Sequence, residues 1–525
     1  YAYDESSNLI RRQYPDGSVF SYAYDAEDRL SSVTGPDGTS GYSYDLAGNL
    51  TRTQLPAANG HWQTRVYDRA GRLVALQNAG AAGTISAEAY LLDPVGNPRR
   101  VGSLYRAPAN DDGETELRAE VTTYAYDVRD RLSEVCYRLS CPGAADPFIR
   151  WSYDPVGNRL SETRASGATV YSYDAADQLL SQSGLGGAKS YNYDPNGNQT
   201  RAGERSFAYD QANRMVSTTL VSETTSYGYD GDGKRLRAGN TSMLWDIAHP
   251  LPQLALERDP AGATLRRYAY GNELLSMRTA GQERYFHTDA LGSTLNTTSA
   301  TGTLEWSYSY EPYGSLRRQL RHSTTAADNP IRFTGAYQDP ETRLYHLRAR
   351  QYDTSTGRFT AVDPLAPRLT DPYVSTYVYA NNLPTALIDP SGMGAVRKSG
   401  PRTSAPSGER PASHTPSNGC GSSGASGRVP DFFGRACDRH DQCYGNWGAW
   451  RRTCDEIFKR DILAQCRGYS WLRERACNAA AESYYQGVRT RWGRGAFIDS
   501  QISECRYYRY GSSRWCRTRA ERRAN

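Results

Sequence analysis

The stretch Ala436-Cys437-Asp438-Arg439-His440-Asp441-Gln442-Cys443-Tyr444 packs a base, a hard-metal ligand and two thiols into one helix-sized window. His440 is suited to taking a proton from water. Asp441, beside it, offers carboxylate oxygens of the kind calcium prefers. Cys437 and Cys443 stand three residues either side of His440, so disulfides there would lock the element that carries the base. A helical His-Asp pair is often mere packing. This one has flanking cysteines, a glycine-rich loop upstream and an acidic helix downstream. The same pair in a basic tail also suits metal-assisted phosphodiester cleavage. Against that chemistry, the folded tail has no second histidine and no cluster of carboxylates.

The elements that must position these groups are legible around them. Residues 418–427 are too rich in glycine for a regular element and form a loop whose carbonyls can turn inward. Pro430 and Gly434 break the chain before a helix from Ala436 to about Tyr444. A second helix starts near Thr453, where Ile457, Phe458, Ile462 and Leu463 recur with helical period, and a third, Ala-rich, covers 471–486. Eight of the ten cysteines lie between Cys420 and Cys516, an even count and a density that point to a disulfide framework and an oxidising place of action. No Cys-x2-Cys occurs among them, which argues against zinc. Cys136 and Cys141 form a separate close pair, placed to bridge a local loop.

Charge divides at the same place. Of 62 Lys and Arg, 24 follow residue 393, with only 12 of the 57 Asp and Glu, so the tail carries +12 and the body −7. A basic tail on an acidic body predicts an anionic partner for the tail, phospholipid or nucleic acid. At 525 residues the chain holds more than one domain. Mean hydropathy is −0.73, and no apolar run approaches the ~20 residues of a membrane span. The chain opens on Tyr1 inside a repeat and is read as part of a longer protein, so a missing leader carries no meaning.

The first ~320 residues repeat an aromatic-x-Tyr-Asp unit, as in YAYD at 1–4 and 22–25, YSYD at 42–45, WSYD at 151–154 and YGYD at 227–230. Turn sequences such as PVGNRL and AEDRL follow, then an apolar pair and a polar run. Alternating aromatics bounded by such turns predict β-hairpins stacked side by side, each covering its neighbour's edge. The tyrosines are then wall packing, not chemistry. Four regions result: a β repeat shell over 1–328, a distinct block over 329–393, a Ser/Pro/Gly/Arg-rich flexible linker over 394–417, and a small helical, disulfide-rich domain over 418–525.

The repeat resembles the YD repeats of Rhs and teneurin-like proteins, and YFHTDALGST at 285–294 is a further element of that kind, in which His287 and Asp289 are read as structural. Residues 329–393 resemble the Rhs core. The resemblance implies a hollow β-cocoon and a self-cleaving, aspartyl-protease-like pair at two Asp-Pro steps, Asp363-Pro364 and Asp389-Pro390. Two carboxylates held close cannot both ionise, so one serves as base for water and the other as acid. The cut is expected between Met393 and Gly394, with Arg350 in an accessory role. Met393 and Ala366 stand where the family has Leu and Gly.

Cys420-Gly421 followed by Cys437-x-x-His440-Asp441-x-Cys443-Tyr444 resembles secreted phospholipase A2 over about 418–470. That resemblance implies His440 as general base for hydrolysis of the sn-2 ester. Asp441, with carbonyls of Gly419, Gly421 and Ser423, would hold calcium, and Asp455 would orient the histidine. It also implies disulfides Cys420–Cys437 and Cys443–Cys454. Ala436 replaces one family cysteine. Joined, the halves resemble a bacterial polymorphic toxin that acts on anionic membrane phospholipid in the envelope or periplasm of a target cell. A secretion-system carrier or spike protein and a cognate immunity protein are the implied partners, and nucleic acid is not expected. An Rhs-type nuclease toxin and a non-enzymatic adhesion or carbohydrate-binding protein are the alternatives.

Overall fold

The computed structural model describes residues 1–109, 115–249, 251–365 and 374–398, all within one compact unit, Tyr1–Thr403. The tail residues His440, Asp441, Asp455, Gly419, Gly421, Ser423, Cys420, Cys437, Cys443 and Cys454 lie outside the described residues. Among the described residues, no helix is long and apolar enough to cross a membrane.

A single antiparallel ribbon of thirty strands, from Ala2–Tyr3 to Leu316–Arg321, carries the fold, each strand pairing with the next. The repeat explains the pairing. In the strand Val19–Tyr24, Phe20 and Tyr22 are buried while Ser21 and Ala23 face out, as a period of two requires. The Tyr-Asp pair closes alternate strands, such as Val19–Tyr24, Gly38–Tyr44 and Trp62–Tyr67. A register shift falls between Ala23 and Tyr24. Asp25 then accepts the backbone N–H of Glu27 and Arg29 on one carboxylate oxygen, at 3.0 and 2.9 Å. The tyrosine hydroxyl does more than pack. It donates to a carbonyl one unit back: Tyr24 to Leu9, Tyr44 to Leu30, Tyr67 to Leu50, Tyr153 to Leu132 and Tyr229 to Met215, all within 3.0 Å. Arginine at the turn's end reaches forward, Arg131 to the Asp154 carbonyl and Arg214 to that of Asp230.

The ribbon winds back on itself. Buried Arg12 pairs with Asp246 at 2.7 Å, Arg65 with Glu273 at 2.6 Å and Asp37 with Arg278 at 2.7 Å. Side-chain hydrogen bonds along this seam join residues 208 to 248 positions apart. His287 and Asp289 sit on it as structural groups: His287 bonds Thr298, and Asp289 caps its own turn through the N–H of Leu291 and Ser293. Cys136 and Cys141 form a disulfide.

Residues 329–398 add smaller sheets to the same compact unit. Tyr337–Gln338, Tyr345–Leu347, Arg350–Asp353 and Arg358–Phe359 make a small sheet. Phe333, Tyr345, Tyr352, Phe359 and Tyr379 form its aromatic core, Tyr352 stacking on Tyr379 at 4.3 Å. The linker expected from Gly394 opens on a held stretch: Val396–Arg397 pairs antiparallel with Leu387–Ile388. Backbone pairing and two cation contacts override the flexibility that its composition predicts.

Candidate functional site

The small sheet brings Asp363 and Asp389 together around one guanidinium. Arg350 opens the strand Arg350–Asp353, directly after the tight turn at Arg348 and Ala349 that the pairing Leu347↔Arg350 closes. Its Nη2 donates to Asp363 Oδ2 at 2.8 Å and to Asp389 Oδ2 at 3.3 Å. The two carboxylates are therefore no further apart than those distances combined. Nη1 donates to the Thr376 carbonyl at 2.8 Å, Nε donates to the Gly392 carbonyl, and the guanidinium lies 3.5 Å from the Phe359 ring centre. Burial pushes the Arg350 guanidinium below its ordinary value, against the pull of both carboxylates. One guanidinium thus stands against both carboxylates.

The chain beyond Asp389 is docked on the same hairpin. Arg348 donates to the carbonyls of Pro390 and Pro252, and Ala349 N–H donates to the Ser391 carbonyl at 3.1 Å. Gly392 has φ +69°, and a Cβ there would stand 2.3 Å from the Leu347 carbonyl oxygen, so only glycine fits. The turn delivers the N–H groups of Met393 and Gly394 to Asp389 Oδ1, both at 3.1 Å. The amide nitrogen of the Met393–Gly394 bond thus touches one of the two carboxylates, and both residues are exposed, within reach of water. Arg350 was legible as an accessory residue. Arg348 and Gly392 were not singled out; the Ser-Gly after Asp-Pro was the available signal for the second, and nothing marked the first.

A cavity of about 410 Å³ opens nearby, lined among others by Glu88, Tyr90, Glu273, Asp289, Arg397 and Lys398. Burial, then the Asp289 charge, pushes Glu88 up to about 8. Among the described residues, no group of three or more His, Cys, Asp or Glu side chains is placed to hold a metal ion.

Residues 110–385 match the family model for the Teneurin YD-shell, residues 3–40 and 24–59 the RHS Repeat, and residues 406–491 the Prokaryotic phospholipase A2. The chain is 33% identical over 127 residues to the double-stranded DNA deaminase toxin A of Burkholderia cenocepacia, covering 24% of this chain and 9% of that protein. It is 32% identical over 146 residues to the toxin protein Tse5 of Pseudomonas aeruginosa, covering 26% and 11%. A Tc holotoxin pore of Photorhabdus luminescens superposes with a TM-score of 0.54 at 18% identity, over 75% of this chain and 21% of that one. The chain thus spans only a small part of the length of these proteins.

Proposed function

From the premise that this chain belongs to the Teneurin YD-shell family, with Rhs repeats and a phospholipase A2-like C-terminal domain, we propose that it is a toxin whose tail hydrolyses the sn-2 ester of membrane phospholipids. The match of residues 406–491 to prokaryotic phospholipase A2 carries this reading, because that span contains His440, Asp441 and Asp455. His440 takes the proton from the attacking water, and Asp455 bonds the far ring nitrogen and fixes its tautomer. The donor set of Asp441 with carbonyls of Gly419, Gly421 and Ser423 is all hard oxygen and fits calcium. When bound, calcium polarises the ester carbonyl and stabilises the oxyanion. The +12 tail favours anionic lipid surfaces. A secretion-system carrier or spike exports the chain to a target envelope or periplasm, and an immunity protein guards the producer. Relatives named as nucleases and a deaminase share about a quarter of the chain, which makes a nucleic-acid toxin the second reading.

The full chain is incubated with anionic phospholipid vesicles, with calcium or with chelator, beside plasmid DNA. Calcium-dependent fatty acid release is expected, reduced at least 100-fold in His440→Ala. No release with calcium, or equal release from the variant, refutes the lipase reading.

Self-cleavage is the second activity of the reading. Water adds to the Met393 carbonyl carbon, the Met393–Gly394 C–N bond breaks, and the water's proton reaches the Gly394 nitrogen through the carboxylates. Asp389 Oδ1 accepts the Gly394 N–H at 3.1 Å, so a proton carried on that carboxyl has a short path to the leaving nitrogen, with Asp363 as the base for water. The mass of freshly purified protein tests it: an intact chain refutes cleavage.

A further inference from the structure

The residues just beyond the proposed cut meet groups from three separate places on the repeat ribbon. Arg397 donates to the Gly96 carbonyl at 3.0 Å and to Asn97 Oδ1 at 3.3 Å. Asn97 is buried, and Gly96, at φ +90°, leaves room for the guanidinium, only 3.4 Å from where a Cβ would stand. Lys398 Nζ lies 2.8 Å from Glu273 Oε1, while Arg65 holds the other oxygen at 2.6 Å. Lys398 and Arg65 together hold the Glu273 carboxyl down to about 2 despite its desolvation. Gly292 completes the seat, since a Cβ there would come within 2.5 Å of the ammonium. The backbone adds strand pairing of Val396 with Ile388 and Arg397 with Leu387.

A polar chain leaving a domain needs none of this. Two glycines without side chains, a buried amide and an acid already shared with an arginine form a receptor for a basic dipeptide in extended conformation. All of its walls lie on the N-terminal side of the Met393–Gly394 bond, and its ligand lies on the C-terminal side. We propose that Val396-Arg397-Lys398 is a docking peptide that keeps the C-terminal fragment bound to the shell once the covalent link is cut. This rests on the self-cleavage reading. Cleavage then converts a covalent attachment into an ionic one, which salt weakens.

The test uses the full chain, its Arg397→Ala/Lys398→Ala variant and, on the shell side, Glu273→Gln. Denaturing mass spectrometry first reports whether the chain is cut, and circular dichroism whether each variant is folded. In cut protein, native size-exclusion after dilution is expected to keep fragment 394–525 with the shell. The double variant releases it at least tenfold faster, Glu273→Gln by a smaller factor, and added salt accelerates release. Equal retention in all three overturns the proposal. If the chain is intact, the cleavage reading fails alone, and hydrogen exchange of the 394–398 amides decides the docking. Slow exchange, at least tenfold faster in the double variant, supports it, and fast exchange in the unmodified chain overturns it.

Discussion

The repeat ribbon and the block that follows it use the same turn for opposite ends. Asp93-Pro-Val-Gly-Asn97, Asp154-Pro-Val-Gly-Asn158 and Asp194-Pro-Asn-Gly-Asn198 belong to the ribbon, and Asp389-Pro-Ser-Gly-Met393 to the candidate site. In all four the aspartate's Oδ1 accepts the N–H of the fifth residue, and the glycine has positive φ. The difference is the fifth side chain. Asn158 and Asn198 donate to Oδ2 of their own aspartate at 2.9 Å, closing the carboxylate on itself. Met393 has no donor, so Oδ2 of Asp389 stays available and turns to Arg350. A structural cap becomes a chemically open carboxylate by the loss of one amide. In the ribbon, Asp154 and Asp194 are finished locally; in the block, two aspartates 26 residues apart in sequence share one cation.

Removing the shared cation breaks this comparison most severely. Arg350→Met is expected to abolish cleavage, at least 100-fold by intact mass, and to cost about 3–5 kcal/mol in denaturant unfolding, because it strands two carboxylates, one of them buried. Arg350→Lys keeps the charge without the fork and recovers part of the cutting. Exchanging the fifth residues sharpens the contrast. Met393→Asn supplies the missing donor and is expected to slow cleavage about tenfold with no loss of fold. Asn158→Met breaks bonds to Asp154, Asp177 and Arg358 and costs about 2–3 kcal/mol in unfolding, with cleavage unaffected where the chain is folded.

Acid separates the two regions more gently. Burial, then His61, brings His287 down to about 3, and burial, then Arg235, holds His346 well below its ordinary value. A base whose folded pKa is depressed binds its proton more readily unfolded. Its contribution is therefore full above about pH 6.5 and shrinks as pH falls toward the folded value, by about 1.4 kcal/mol per pH unit for each group. Unfolding midpoints measured from pH 7.5 to 5 are expected to fall. Among the described residues, the hydrogen-bond partners of Arg350 include no histidine, so cleavage in still-folded protein is expected not to follow that window.

Much of the ribbon was legible because each unit is finished by its own neighbours. Tyrosine, aspartate and the turn residue lie within five positions, and their types state the turn. The forward reach of Arg131 and the backward reach of Tyr153 are one unit long and follow from the same repeat. The block was legible only as two Asp-Pro steps and one arginine. That Arg348 pins Pro390, that Gly392 admits no side chain, and that Arg397 and Lys398 are seated on residues 96, 97 and 273 depends on the winding, which no local pattern encodes.

That winding also orders events in time. Strand-to-strand pairing along the ribbon is short-range and forms as the chain emerges, but the seam between Arg12 and Asp246 must wait for more than 200 further residues. At a synthesis rate of about 5–20 residues per second, that wait is roughly 10–50 seconds, during which a long strand edge stands open to wrong partners. The same delay favours a fixed sequence of assembly: first the wall, then the block that carries the candidate scissors, and the tail only after both. A chain built in this order completes its candidate scissors before the segment they would release has emerged.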